Sequence, residues 1–415
     1  MTPWGRNYLR IVVAGAVIEL AFLGLLLSGD LIDNKGRLLF FYFTAFAAYA
    51  AALASRAMDP KHIRVILFFA VLFRATMLLS EPSLTVDIYR YYWDGKLLAN
   101  GVNPYMYPPA AMELEPLRDE IYQKLVYKQV NTIYPPLAQL VFALSYLVHP
   151  SLFTLKLASA LFDLAAVLVL LRILKIKGVE GRVLLYAWNP LVVVEFASSG
   201  HADSMAVFFV LWAYYLLLRD RPFSAGAALA LGVASKLYPV LLVPLFARRN
   251  PRAALGFLGV LVAVYLPFAS AGPRLFEGLE VFLRYAKFNP GAFAVLEHLL
   301  GFASAKAVAL LMVALAYPLV LRGTGLIRGC YLILTLYLVL SPMVHPWYVA
   351  WGLSLAPLVG SYSWVVFSAL VGLSYLLVQK APQGIIWVPD HLVSLAQFLP
   401  FYGIILWEEL KRRRA

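Results

Sequence analysis

Long apolar runs, many close to bilayer-spanning length, alternate with polar breaks along the whole chain. In lipid, a helix satisfies each backbone N–H and C=O within itself, so runs of this kind predict membrane helices. The pattern places them at about residues 9–28, 38–55 and 65–79, and, after a long polar interval, at 152–171, 183–197 and 204–218. Two short pieces follow at 224–235 and 237–246, then runs at 253–270, 304–321, 331–344, 347–359, 364–378 and 392–407. Several fall short of the ~20 residues that cross a bilayer untilted. The expected fold is an all-α polytopic membrane protein, a bundle of roughly 13–14 transmembrane segments read as one integral domain over residues 1–415.

Two polar intervals interrupt the bundle. Residues 80–133 form the longer, and a stretch of that length is expected to carry structure of its own. Short helices are expected at 87–99 and 117–128, lying along the membrane, where Tyr89, Tyr91, Tyr92, Trp93, Tyr105 and Tyr107 suit the interface. Residues 272–301 form the second loop. The apolar run at 135–148 is read as re-entrant or membrane-parallel, because a full crossing there would reverse the charge asymmetry of the following loops.

That asymmetry is pronounced. Arg6, Arg10, Arg56, Lys61, Arg64, Arg172, Lys175, Lys177, Arg182, Arg219, Arg221, Arg248, Arg249, Arg252, Arg322, Arg328 and Lys411 to Arg414 all fall at one set of helix ends. These are 20 of the 35 basic residues, accompanied by only five of the 22 acidic ones. By the positive-inside rule this side is cytoplasmic, with both termini, and the two polar loops are extracytoplasmic. Apart from the overall charge of +13, which anionic lipid headgroups account for, nothing points to nucleic acid. The 62% hydrophobic and 14% charged content excludes an ordinary soluble enzyme. One cysteine, Cys330, excludes an intrachain disulfide framework and a cysteine-based zinc site. No cleavable signal peptide is expected, so the first apolar run should remain as an anchor in the plasma membrane.

The chemistry-bearing residues gather at the extracytoplasmic ends. Asp87, Arg90 and Asp94 fall on one face of the expected helix 87–99, where an arginine-held carboxylate could serve as a general base; a surface-paired interfacial helix is the plainer reading. His201 and Asp203 stand between two runs, suited to a sugar hydroxyl or to orienting another group, with a helix cap at Asp203 as the plainer reading. Lys236, next to Tyr238 and Pro239, should lie at the apex of a hairpin of two short helices, where a phosphate would satisfy it; a continuous helix with Lys236 paired to a local carboxylate is the alternative. His345, Trp347 and Tyr348 lie at a helix break made by Pro342 and Pro346, whose irregular backbone must line a cavity or face water. Arg284 and Asn289 add a cation and an amide on the same side. Glu19, Arg74, Asp163 and Glu195 lie in or beside apolar runs and are expected in buried ion pairs between helices.

The strings Asp87–Gly95, Gly101-Val102-Asn103-Pro104-Tyr105 and Thr132-Ile133-Tyr134-Pro135-Pro136-Leu137-Ala138-Gln139 resemble the first outer loop of prokaryotic GT-C glycosyltransferases, most closely mannosyltransferase-like members that use polyprenyl-phosphate sugars. Trp188-Asn189-Pro190, Gly200-His201-Ala202-Asp203, Ser235-Lys236-Leu237-Tyr238-Pro239, Phe288-Asn289 and His345-Pro346-Trp347-Tyr348 match in the same order. The resemblance implies a GT-C bundle with membrane-parallel helices in its outer loop and a catalytic aspartate at Asp87, with Asp94 as its rival. It adds Tyr89, Asn103, Tyr105 and Tyr134 to the candidate substrate-binding residues, beside Arg90, His201, Asp203, Lys236, Tyr238, Arg284, Asn289, His345, Trp347 and Tyr348. Some GT-C enzymes use a divalent metal; this chain offers no clear ligand cluster, and no cofactor or essential metal is expected. The implied activity moves a hexose, mannose first, from a polyprenyl-phosphate donor to a hydroxyl of a glycan or glycolipid acceptor, with inversion. A lipid or lipid-linked-saccharide flippase and an O-antigen-ligase-type transferase with a lipid diphosphate donor are the alternatives.

Overall fold

The computed structural model describes residues 3–55, 58–381 and 384–414. Arg56, one of the basic residues in the asymmetry above, lies outside them. Helix content is 77%, and one buried apolar cluster runs from Ile11 to Phe401, the all-α membrane architecture the apolar pattern predicts.

Helices α1 (Pro3–Leu26), α2 (Lys35–Ala54) and α3 (Ile63–Leu78) pack together at the start of the chain. Helix α4 (Asp87–Ala99) has the expected bounds. The expected helix at 117–128 is reduced to the single turn α5 (Glu120–Gln123), after a 3-10 segment at Met112–Leu117 that contains Pro116. Proline removes a donor and crowds the preceding turn, which accounts for the tighter, shorter structure. Helix α6 (Pro136–Val148) is short, apolar and packed on α4. Gly95 makes that approach possible: a Cβ there would lie 2.5 Å from the Phe142 carbonyl oxygen.

Helix α7 (Leu152–Ile176) is long enough to span. The apolar run at 183–197 is broken into α8 (Leu184–Ala187), α9 (Pro190–Val193) and a π-helical turn at Val194–Ser198. Helix α10 (Asp203–Leu218) then leaves at 120°. Gly200 sits in the bend with φ +75°, where a Cβ would also meet Ile88 and Lys156 within 3.1 Å. π-turns and irregular backbone inside a membrane protein are tolerated where they line a site.

Helix α11 (Pro222–Val233) and the short α12 (Val243–Arg249) flank a 3-10 turn at Tyr238–Leu242, forming the anticipated hairpin with Lys236 at its apex. Helices α13 (Pro251–Tyr265), α14 (Glu277–Tyr285), α15 (Phe293–Leu300) and α16 (Phe302–Gly323) expose a broad apolar surface, including Leu255, Val262, Leu283, Leu299, Leu315 and Leu319. Then come α17 (Leu326–Val339), α18 (Val349–Val359), α19 (Ser363–Leu370) and α20 (His391–Arg414). The run expected to stay helical through residue 378 instead ends in an antiparallel hairpin, β1 (Val378–Ala381) and β2 (Gly384–Trp387). Among the described residues, five helices are long and apolar enough to cross a membrane, six if the bent pair counts as one span. The remaining segments are shorter or broken, and the breaks carry most of the polar side chains discussed below.

Candidate active site

Asp87 opens α4, where a carboxylate complements the unpaired N–H groups of the first turn. Its own N–H donates to Thr85 Oγ1 at 3.0 Å. The shared face of Asp87, Arg90 and Asp94 does not become a three-way cluster. Arg90 Nε pairs with Asp94 Oδ1 at 2.7 Å, and its other arm donates to the Val130 carbonyl at 3.0 Å. Asp94 is completely buried and also accepts from the Thr132 hydroxyl and from Gln139 Nε2 at 3.1 Å. Its oxygens are committed to joining α4 to residues 130–139. Asp87 remains 31% exposed, with Oδ2 3.9 Å from Nδ1 of the buried His201.

His201 occupies the bend between the π-turn and α10. Its N–H donates to the Glu195 carbonyl at 3.1 Å, and Ser159 Oγ donates to the His201 carbonyl at 2.8 Å. On the imidazole's far side, Nε2 lies 3.2 Å from Glu195 Oε2, while Glu195 Oε1 accepts from the Tyr375 hydroxyl. Tyr375, Glu195, His201 and Asp87 thus form one file of polar groups. The imidazole stacks on Trp347 at 3.7 Å, Trp347 on His345 at 4.2 Å, and His345 on Phe288 at 4.2 Å. Three distant pieces of chain build this stack. Phe288 is fixed by backbone bonds to Pro342 and Val344.

Lys236 stands on the other side. Its ammonium, 16% exposed at the side chain, is 3.0 Å from Asp203 Oδ2. Trp351 Nε1 donates to Asp203 Oδ1 at 2.8 Å and stacks between Tyr238 (4.1 Å) and Tyr348 (4.2 Å). The ammonium lies 5.4 Å from the Tyr348 ring and 5.9 Å from the Tyr134 ring. Tyr348 meets Trp347 edge-on at 5.9 Å, which joins the lysine to the His201 stack. The helix is broken here, as expected, yet Lys236 does have a carboxylate partner, supplied by α10.

Besides these ion-pair contacts, both His201 nitrogens, Ser199 Oγ, Glu195 Oε2, Asp203 Oδ2, His345 Nδ1 and Trp347 Nε1 are buried without a hydrogen-bond partner in the protein. His201 Nε2, Glu195 Oε2 and Asp203 Oδ2 are engaged in the ion pairs above, which leaves Ser199 Oγ, His201 Nδ1, His345 Nδ1 and Trp347 Nε1 as the buried polar atoms open to water or to a substrate's polar groups. Among the described residues no group of three or more His, Cys, Asp or Glu side chains is arranged to hold a metal ion.

The other sequence candidates are distributed around this cluster. Tyr105 donates its hydroxyl to the Tyr134 carbonyl at 2.7 Å, and Asn103 reaches Ser270 Oγ at 3.2 Å. Tyr89 lies under Lys124, 5.4 Å from its ring centre. Burial raises the Tyr89 phenol, and burial together with Asp119 pushes Tyr92 up to about 12, so both are neutral groups at physiological pH. Asn289, buried, donates to Gln397 at 2.9 Å. Arg284 pairs with Glu280 of its own helix at 2.5 Å, and both are exposed. Sequence reasoning missed Tyr375 and Trp351, and placed Glu195 with the structural ion pairs. The usable signal for Glu195 was an acidic side chain in an apolar run, six positions before a histidine.

Residues 11–249, more than half the chain, match the family described as alpha-(1->6)-mannopyranosyltransferase, N-terminal domain. No curated protein and no solved structure matches the chain. The chain belongs to this mannosyltransferase family, and it is a glycosyltransferase of GT-C type.

Proposed function

We propose that this mannosyltransferase takes mannose from a polyprenyl-phosphate donor and attaches it, with inversion, to a hydroxyl of a mannose-containing acceptor on the extracytoplasmic face. The observation that carries the reading is the partly exposed Asp87 carboxylate beside His201, in the same cluster as the Lys236 ammonium. Asp87 accepts the proton of the acceptor hydroxyl. That oxygen attacks the anomeric carbon while the bond from this carbon to the phosphate oxygen breaks, and its electron pair leaves with the lipid phosphate. An ammonium has three donors, so Lys236 can hold Asp203 and still meet the leaving phosphate. His345 Nδ1 and Trp347 Nε1, buried and unpartnered, supply further donors if the imidazole carries its proton there.

The family's linkage is α-(1→6), which points to a C6 hydroxyl as the nucleophile. An in-line displacement gives an α product only from a β-linked donor, so the α-linked donor anomer should not react. The basic asymmetry of the connections supports the extracytoplasmic placement.

The test is Asp87→Asn in proteoliposomes supplied with polyprenyl-phosphate mannose and a mannose oligosaccharide. Transfer should fall about 10²–10⁴-fold, the range for loss of a general base, while the donor still binds. Turnover near that of the parent rejects Asp87 as the base.

A further inference from the structure

Outside the aromatic cluster, a cleft of about 480 Å³ opens between the first long loop and the chain leading into α14. Tyr107, Glu113, Gln129, Asn131, Arg274 and Glu277 line it. Its size falls within the ~300–1,000 Å³ of small-molecule sites. We propose that this cleft binds the sugar chain of the acceptor, a neutral oligosaccharide, while the anionic donor stays with Lys236. The proposal deepens the transferase reading and rests on it.

Three observations support the assignment. The first is charge. Two glutamates face one arginine in the cleft, a balance that disfavours a phosphate and suits hydroxyl groups, which bond to carboxylates, amides and guanidinium alike. The second is construction. Asn131 Nδ2 donates to Glu277 Oε2 at 2.7 Å, and Arg274 reaches the Met106 carbonyl at 3.3 Å, so both walls are tied across the opening. Glu113 and Gln129 are exposed in its lining, and the half-buried Tyr107 adds an aromatic ring, the kind of group that packs on a sugar's C–H surface. The third is position. Val130, in the cleft wall, accepts from Arg90, one helical turn from Asp87. Three residues past Asn131 comes Tyr134, the ring beneath Lys236. Three residues of chain span at most ~11 Å. The cleft wall is thus tied through Arg90 to the helix that carries Asp87, and through residues 131–134 to the ring beneath Lys236.

The experiment compares the parent with Tyr107→Ala/Glu113→Ala/Gln129→Ala, three changes in side chains at or near the surface, after thermal melting has shown that the variant is folded. Saturation-transfer NMR in nanodiscs, without donor, measures binding of short and long mannose oligosaccharides. Transfer assays measure KM for the same acceptors and for the donor. The parent should prefer the long acceptor. The variant should lose that preference, with the long acceptor's KM up about tenfold, as expected from one or two lost hydrogen bonds, and the donor KM as in the parent. An unchanged length preference and unchanged NMR contacts in a transferring enzyme overturn the cleft assignment and leave the transferase reading standing. If the parent transfers no mannose, the transferase reading falls, and the NMR comparison alone decides the cleft: equal binding by parent and variant overturns it. A melting temperature well below the parent's moves the same measurements to Gln129→Ala alone.

Discussion

Two ionic centres lie inside this protein and differ in how completely they are paired. Around Arg74, the guanidinium is 2.7 Å from Asp163 and donates to the carbonyls of Ala70 and Ala187, while Asp163 also accepts from the Tyr186 hydroxyl. One nitrogen of Arg74 is left without a partner. Around His201, four buried polar atoms on four residues, Ser199 Oγ, His201 Nδ1, His345 Nδ1 and Trp347 Nε1, have neither a hydrogen bond nor a close ion pair within the protein. Both centres sit among apolar helices and both carry opposite charges. The first spends its polar groups on joining α3, α7 and α8. The second keeps some of its own in reserve, at the bend before α10 and at the proline break before α18. A buried charge says little about function until its bonds are counted; by that count the first centre is a structural pair, and the second is the one proposed to react.

The sharpest way to break this comparison is to alter each centre and exchange the readouts. Asp87→Asn should cost transfer by the 10²–10⁴-fold given above and leave the melting temperature nearly untouched, since a partly exposed carboxylate loses little on becoming an amide. Arg74→Met should do the reverse. It strands the Asp163 carboxyl in an apolar interior, a loss of about 3–5 kcal/mol, seen as a lower melting temperature and poor yield in detergent, with normal turnover per folded molecule. Adding Asp163→Leu to it should restore most of the stability. If Arg74→Met melts like the parent but has lost transfer, the two centres have been assigned the wrong way round.

The distinction was only partly visible in the sequence. Helix α4 was legible to the residue because its polar spacing of three and four is helical and an aspartate opens it. Which aspartate was free was not legible. Arg90 turns to Asp94 because Thr132 and Gln139, 38 and 45 positions further on, complete that bond set, and local spacing contains nothing of them. The prolines at 342 and 346 announced the break before α18. Glu195 was hidden because a lone acid in an apolar run reads the same whether its partner is Arg74-like or an imidazole. The strand pair β1 and β2 was hidden because Val378 continues an apolar run, and only its pairing with Trp387 makes it a strand. The hairpin is held in place by Lys380, whose ammonium is raised above its ordinary value by hydrogen bonds to Asp30 and Asp33 from the α1–α2 connection.

A smaller effect sharpens the comparison within the second centre. Lys236→Met removes the ammonium but keeps much of the stem's bulk; it also leaves the buried Asp203 carboxylate with Trp351 alone, so its kinetics are read per folded molecule. It should raise the donor KM about tenfold or more, the scale of a lost charge-assisted bond of ~1.5–3 kcal/mol, with the acceptor KM unaltered. An unchanged donor KM would assign Lys236 to Asp203 alone and make that pair as structural as Arg74–Asp163.

The smallest expected change is the most discriminating. Glu195 touches neither substrate in the proposed mechanism; it stands behind His201, 3.2 Å from Nε2, and is itself held by Tyr375. A positioning group of this kind acts on the ring that faces Asp87, so Glu195→Gln, which keeps the shape and removes the charge, should lower kcat about tenfold and leave both KM values alone. Tyr375→Phe, which only loosens Glu195, should lower kcat by less, and the double variant should be no worse than Glu195→Gln, because both changes act through the same imidazole. A structural role makes a different pattern: melting temperature falls, the two losses add, and kcat per folded molecule stays level. Measuring kcat, KM and melting temperature across this four-member cycle therefore decides whether the file from Tyr375 to Asp87 belongs with the reactive centre or with the paired one.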